Sequence, residues 1–387
     1  MEIKSYSMNW HYPTAVRVGA GRISELPKAC RQLGMTSPLL VTDPGLAALP
    51  MVEAALQLCR DAGLQVGLFS AIKGNPTGGN VADGVTALKA GSHDGVIAFG
   101  GGSAIDAAKA IALVAHQDCT LWEAGPGSVD ASKMLPVVAV PTTAGTGSEV
   151  GQAVVITDDE NHVKRVIFHQ KMVPGIVLLD PELTVGLPPK LTAATGMDAL
   201  AHNLEAYCAR GFHPMADGMA LEGMRLIKEW LPTAVKDGTD LSARAHMLVA
   251  SMMGATAFQK GLGAIHALSH PVGAVYNAHH GLTNAIFMPY VLAFNQGDIE
   301  GPLARLASHL GLPGGGADGL LQWVLELRQE IGIPHSLADI GVEESSVDEL
   351  VALAEIDQAR GCNPRPLSKQ DLAQLFIDAI RGDLPGS

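Results

Sequence analysis

The chain has 387 residues, 47% of them hydrophobic and 17% charged, which is enough for about two or three domains with real cores. A formal net charge of −13 argues against nucleic acid or an anionic membrane as the main partner. The five scattered cysteines, Cys30, Cys59, Cys119, Cys208 and Cys362, form no CxxC pair and speak against a disulfide framework. With no apolar leader in MEIKSYSMNWHYP and no run of about 18 apolar residues, they point to a soluble cytoplasmic protein.

The first half alternates short β-like runs with helical ones. Leu39–Asp43 reads as a buried strand, followed by a Pro-Gly turn and the amphipathic stretch MVEAALQLCRDAG. Gln65–Phe69 is the next strand, leading through the turn GNPTGG (74–79) to a helix over 80–90. Gly95–Phe99 is a strand, GGGS (100–103) a loop and AIDAAKAIALVAH a helix. Pro136–Val140 is a strand that enters PTTAGTGSE (141–149). AVVITDD (153–159) and HVKRVIFH (162–169) read as a hairpin laid over the sheet, and Ile176–Asp180 as the last strand. Short apolar strands alternating with helices specify a doubly wound parallel sheet.

LPPK (187–190) marks a boundary, because paired prolines interrupt regular structure. Beyond it no strand pattern remains. Long Ala/Leu/Met-rich helical patterns take over, such as 215–231 and 242–259. The expected organisation is an α/β domain over 1–186 and an all-α domain over 187–387.

Four features of the first half could serve a nucleotide. GGGS between a strand and a helix lets the backbone approach a pyrophosphate at a helix N-terminus, yet it is neither GxGxxG nor a Walker A loop and is equally readable as a tight turn. Thr142, Thr143, Thr146 and Ser148 place four hydroxyls in a second loop at a strand's carboxyl end, with helix capping as the plain alternative. Asp43 at a strand end suits a ribose diol and would repel a 2′-phosphate, favouring NAD over NADP, or else caps a turn before Pro44. Lys164 on the hairpin is either solvated or aimed at the nucleotide.

The second half holds the denser signal. TGMDALAHNLEAY (195–207) and GLGAIHALSHPVGAVYNAHHG (261–281) carry Asp198, His202, His266, His270, His279 and His280. Asp198 and His202 are four apart, as are His266 and His270, so each pair shares a helix face. Any one of these histidines alone is readable as a satisfied polar group beside an apolar core. Two such pairs in Gly/Ala-rich surroundings point to a metal site.

Taken in order, VTDPGL, GNPT, GGGSAIDAAKAIA, PTTAGTGSEV, LPPKLTAATGMDALAHNLEAY and GLGAIHALSHPVGAVYNAHHG resemble the iron-dependent (group III) alcohol dehydrogenase family, over nearly the whole chain to about residue 300. The resemblance implies a dinucleotide-binding domain followed by a helical metal domain. By motif position it implies Asp198, His202, His266 and His280 as metal ligands and His270 as a neighbouring proton-moving histidine, which leaves His279 as structural or pocket-lining. It places Gly101, Gly102 and Ser103 near the pyrophosphate, Thr142, Thr143 and Thr146 along the phosphate–nicotinamide side, Asp43 and Lys164 at riboses, and Asn75 in the cofactor cleft. It also places Phe258 in the substrate pocket. IDQARGCNPRP resembles a late segment of the family, without giving Cys362 a role.

The implied activity is reversible hydride transfer between NAD(H) and a small alcohol, aldehyde or ketone. Fe(II) is the expected ion, with Zn(II) or another divalent cation suited to the same imidazole–carboxylate set. The alternative is a same-fold enzyme for an anionic substrate, such as a sulfonate- or phosphonate-aldehyde reductase or a dehydroquinate-synthase-like lyase. The expected assembly is a homodimer or larger homo-oligomer.

Overall fold

A computed structural model describes residues 11–384 apart from 13, 126 and 162. The expectation about a leader falls largely outside these residues, as does His162 of the expected hairpin. Contacts group the described residues into two units, one of Tyr12–Thr143 and Gly147–Gly186, the other of His11, Ala144–Thr146 and everything from Leu187 onward.

The first unit begins with β1 (Ala15–Val18), α1 (Leu26–Gln32), β2 (Pro38–Val41), α2 (Pro44–Ala47), α3 (Pro50–Asp61), β3 (Gly67–Phe69) and α4 (Gly78–Ala90). It continues with β4 (Gly95–Gly100), α5 (Gly102–Val114), β5 (Val137–Pro141), β6 (Ala153–Asp158), β7 (Val163–Phe168) and β8 (Ile176–Leu179). Six strands form one sheet in the order β1-β8-β5-β4-β2-β3, every pairing parallel. β2, β4, β5 and β8 are buried along their whole length, which is why their sequences are unbroken apolar runs instead of alternating ones.

The chain reverses its direction of travel across the sheet between β2 and β4. Open α/β sheets bind ligands outside the carboxyl ends of strands at such a point, and here those ends carry Asp43 and the glycine loop. β1 escapes the sequence reading: AVRV is only four residues long, neither alternating nor wholly buried, and pairs along β8. β6 and β7 form the expected hairpin, in register from Ala153 opposite Phe168 to Asp158 opposite Val163. Through β6 it packs against α5 and α4.

The second unit is helical: α6 (Pro189–Cys208), α7 (Pro214–Lys236), α8 (Leu241–Ala257), α9 (Ala264–Tyr276), α10 (His280–Asn295), α11 (Glu300–His309), α12 (Gly316–Glu330), α13 (Val347–Glu355) and α14 (Lys369–Arg381). Among the described residues, no helix is long and apolar enough to cross a membrane. α6 is the central element. It touches α7, α8 and α10, and nearly every side chain from Thr192 to Cys208 is buried. A helix buried all round accepts polar groups only where they are paired, so its Asp198, His202 and Glu205 demand partners.

Candidate active site

Asp198, His202 and Glu205 stand at i, i+4 and i+7 on α6, one stripe of a 3.6-residue helix. All three are buried, as is His266 at the start of α9. Ligand atoms from Asp198, His202 and His266 lie within 4.8 Å of one another. His280, the first residue of α10, brings Nε2 to 3.7 Å from Asp198 Oδ1, and His202 Nε2 lies 3.9 Å from the same oxygen. The His202 and His266 rings stack with centroids 4.7 Å apart.

His266, His202 and His270 are each oriented from the far side of the ring. His266 Nδ1 bonds Glu205 Oε2 at 2.6 Å, while Glu205 Oε1 accepts from the Ile265 N–H at 2.6 Å. One carboxylate thus closes the N-terminus of α9, where the helix dipole favours negative charge, and fixes the His266 tautomer with Nε2 turned into the cluster. Burial pushes the Glu205 carboxyl up to about 7, against hydrogen bonds that oppose it. Burial, helped by the neighbouring His202, holds His266 well below the usual imidazole range, so it is neutral and has a lone pair to give.

His202 Nδ1 lies 3.3 Å from the carbonyl of Gly145, which also accepts from Ser251 Oγ. Only glycine allows that approach, since a Cβ at 145 would come within 2.9 Å of Thr195 Cβ. His270, one turn after His266, bonds Asp357 Oδ2 through Nδ1 at 2.8 Å. Burial raises the Asp357 carboxyl, but the hydrogen bond and charge of His270 outweigh it and the net direction is down.

The donor set fits a divalent cation. One carboxylate and three imidazoles, two of them tied back through Nδ1, converge in a largely buried cluster without a thiolate, the ligand class of Fe(II), Zn(II), Mn(II) and Co(II). The loops of the first unit fit an anionic nucleotide. Among the described residues no side chain caps the N-terminus of α5 at Gly101, which leaves its amides for a phosphate. Ser103 Oγ donates to Gly74 O at 2.5 Å, fastening this loop to the GNPT turn. Thr142 N donates to Gly100 O at 3.0 Å, and Lys164 Nζ donates to Asn75 Oδ1 at 3.0 Å. Asp43 Oδ1 accepts from Leu46 N at 2.9 Å, so the turn-capping alternative is realised with one of its two oxygens.

Two family descriptions match the chain: "Iron-containing alcohol dehydrogenase" over residues 13–181 and "Fe-containing alcohol dehydrogenase family, C-terminal" over residues 192–380. This chain belongs to the iron-containing alcohol dehydrogenases. It is 38% identical to the NAD-dependent methanol dehydrogenase of Bacillus methanolicus, with 96% of this chain and 100% of that one covered. It is 39% identical to the 4-hydroxybutyrate dehydrogenase of Cupriavidus necator, covering 96% and 99%. A solved structure of 1,3-propanediol oxidoreductase superposes with a TM-score of 0.93 at 35% identity, covering 97% of this chain and 100% of that one. The parallel-sheet and helical architecture is that of these iron-containing dehydrogenases.

Within this member of the family, the structure brings Asp198, His202, His266 and His280 together with His270 at their side, the ring centroids of His270 and His280 5.3 Å apart. Phe258 packs its ring 5.2 Å from that of His202, whereas His279 is exposed. Asp43, Asn75, Gly101, Gly102, Ser103, Thr142, Thr143 and Lys164 all belong to the sheet unit, and Thr146 groups with the helical one. Sequence reasoning missed Glu205, Gly145, Asn284 and Asp357. Glu205 had a signal, since an acid on an otherwise apolar stripe beside two candidate ligands needs a partner. Asp357, 87 residues from His270, had none.

Proposed function

We propose that this protein catalyses reversible hydride transfer between NAD(H) and a small alcohol or aldehyde, with Fe(II) held by Asp198, His202, His266 and His280. The observation that carries the reading is the buried group of Asp198, His202 and His266 within 4.8 Å, with Glu205 fixing the inward-facing nitrogen of His266. In this division of labour residues 1–186 serve the nucleotide and 187–387 the metal and the chemistry.

When bound, the cation supplies Lewis acidity to the substrate oxygen and the nicotinamide supplies the hydride acceptor. The chain's own residues do the rest. His270, held through Nδ1 by Asp357, offers Nε2 to the hydroxyl proton and returns it in the reverse direction. Phe258 supplies an apolar wall beside His202, suited to the carbon chain of a small alcohol. The amides at Gly101, Gly102 and Ser103, with the hydroxyls of Thr142, Thr143 and Thr146, bind the phosphate and nicotinamide portions. Lys164, steadied by Asn75, serves a ribose. Asp43 prefers a free 2′-hydroxyl to a phosphate. Residence in the cytoplasm and assembly into a homodimer or larger oligomer complete the reading; sedimentation velocity tests the latter.

The deciding experiment strips the protein with chelator and assays NAD and NADP reduction on a panel of short alcohols before and after divalent cations are added back. Activity should vanish on stripping, return with Fe(II) and be absent from His266→Ala, with NAD preferred. Undiminished turnover by fully stripped protein would refute the metal's role, and equal use of NADP would refute that of Asp43.

A further inference from the structure

One buried group inside the histidine cluster has no part in the roles above. Asn284, one turn after His280 on α10, is fully buried. Its Nδ2 donates to Asp198 Oδ1 at 2.8 Å and lies 3.2 Å from His266 Nε2 and 3.1 Å from His280 Nε2. Its Oδ1 accepts from the hydroxyl of Ser269, which is likewise fully buried and sits on α9 between His266 and His270. The acceptor-only carboxylate of Asp198 fixes which end of the amide faces the cluster, and Ser269 serves the other end.

An amide nitrogen has two N–H groups, whereas a carboxylate oxygen and two imidazole nitrogens from three different helices converge on this one. His266 Nε2 is an acceptor, because Glu205 takes the Nδ1 proton. The amide therefore gathers one oxygen and two nitrogens from three helices at one point, and a carboxylate oxygen grouped with imidazole nitrogens suits a divalent cation. A residue that merely joined α9 to α10 would have no need to touch a side chain of α6.

We propose that Asn284, braced by Ser269, is a positioning residue for the metal centre. It caps one side of the Asp198–His266–His280 group, holds these donors in place before the cation arrives, and keeps its bond to Asp198 afterwards, raising cation affinity. This inference rests on the metal reading above.

The test uses Co(II) as a probe, with its visible absorption reporting coordination and a competing chelator reporting affinity, on the whole protein stripped of metal. Asn284→Ala should weaken Co(II) binding about 10- to 100-fold, the range for groups that orient metal ligands, and should move the visible bands. Ser269→Ala should shift affinity in the same direction by a smaller factor. A folded Asn284→Ala with wild-type affinity and an unmoved spectrum overturns the proposal and leaves the metal reading standing. If Asn284→Ala does not fold, Ser269→Ala decides: weakened binding supports the brace, and unchanged binding sinks it. Wild-type protein that takes up no Co(II) overturns both readings.

Discussion

A histidine that moves a proton needs one ring nitrogen committed and the other available, and the 2.8 Å bond from His270 Nδ1 to Asp357 Oδ2 supplies that commitment. Replacing the acid by Asp357→Asn keeps the shape and removes the carboxylate that accepts from His270 Nδ1. Turnover should fall about 100-fold, with the Michaelis constant for NAD and the metal content unchanged; steady-state kinetics beside metal analysis would check this, and lost metal would instead make Asp357 a structural support. Asp198 with His202 and His266 with His270 were legible in the sequence because helical spacing brings residues four apart together, whereas His280 entered only through the family resemblance. Their partners were not, because side-chain pairs such as Asp357 with His270 or Asn284 with Asp198 join segments far apart in the chain, and no local pattern encodes them.

The position of an element can depend on one small residue, and α10 enters the site only because residue 281 lacks a side chain. A Cβ there would lie 2.3 Å from the Ala194 carbonyl and 3.0 Å from Asp198 Cβ. Gly281→Ala should therefore push the start of α10 off α6, at a cost of about 1–3 kcal/mol from overpacking, and carry His280 away. A lowered Tm with less bound metal is expected. Gly218→Ala in α7, where a Cβ meets nothing within 4 Å, is the control and should leave both unchanged or raise Tm slightly. A Gly281→Ala protein with full metal content would show that α10 adjusts. Most element boundaries were readable because β2, β4, β5 and β8 are continuous apolar runs bracketed by glycine or proline. β1 was not, since its four residues acquire strand character from pairing with β8 and not from their own pattern.

At the scale of the molecule, the sheet unit stores ionisable groups where water does not reach. Glu149 is buried with Oε1 lacking a partner, and burial pushes its carboxyl up to about 7. Burial likewise lowers Lys109 to about 8, though its Nζ donates to the carbonyls of Ser148 and Ala153. A folded-state value above the unfolded one, about 4.3, means that the stability from Glu149 is fully present below about pH 4.3 and is lost as pH rises through about 7. Lys109 titrates above that window and moves stability the other way. Glu149→Gln should remove the loss, so the gap in Tm between variant and wild type should widen from about pH 5 to pH 7; parallel curves would mean that the carboxyl does not change state there. Nothing in the sequence announced this pair, because depth within a fold is a property of the assembled whole.

The fastening of α9 has a further consequence for how the protein is made. Asn363 Oδ1 accepts from the Ala264 N–H at the first turn of that helix, its side chain exchanges hydrogen bonds with Asn295, and Asp357 reaches His270 from the same late stretch. Synthesis proceeds from the N-terminus, so the four candidate ligands leave the ribosome well before the residues that steady their helix. A nascent chain halted at about residue 350 would already carry Asp198, His202, His266 and His280, yet its histidine-bearing helix would lack two of its anchors. On the metal reading proposed above, a fragment ending at about residue 350 should hold a divalent ion less firmly than the finished chain.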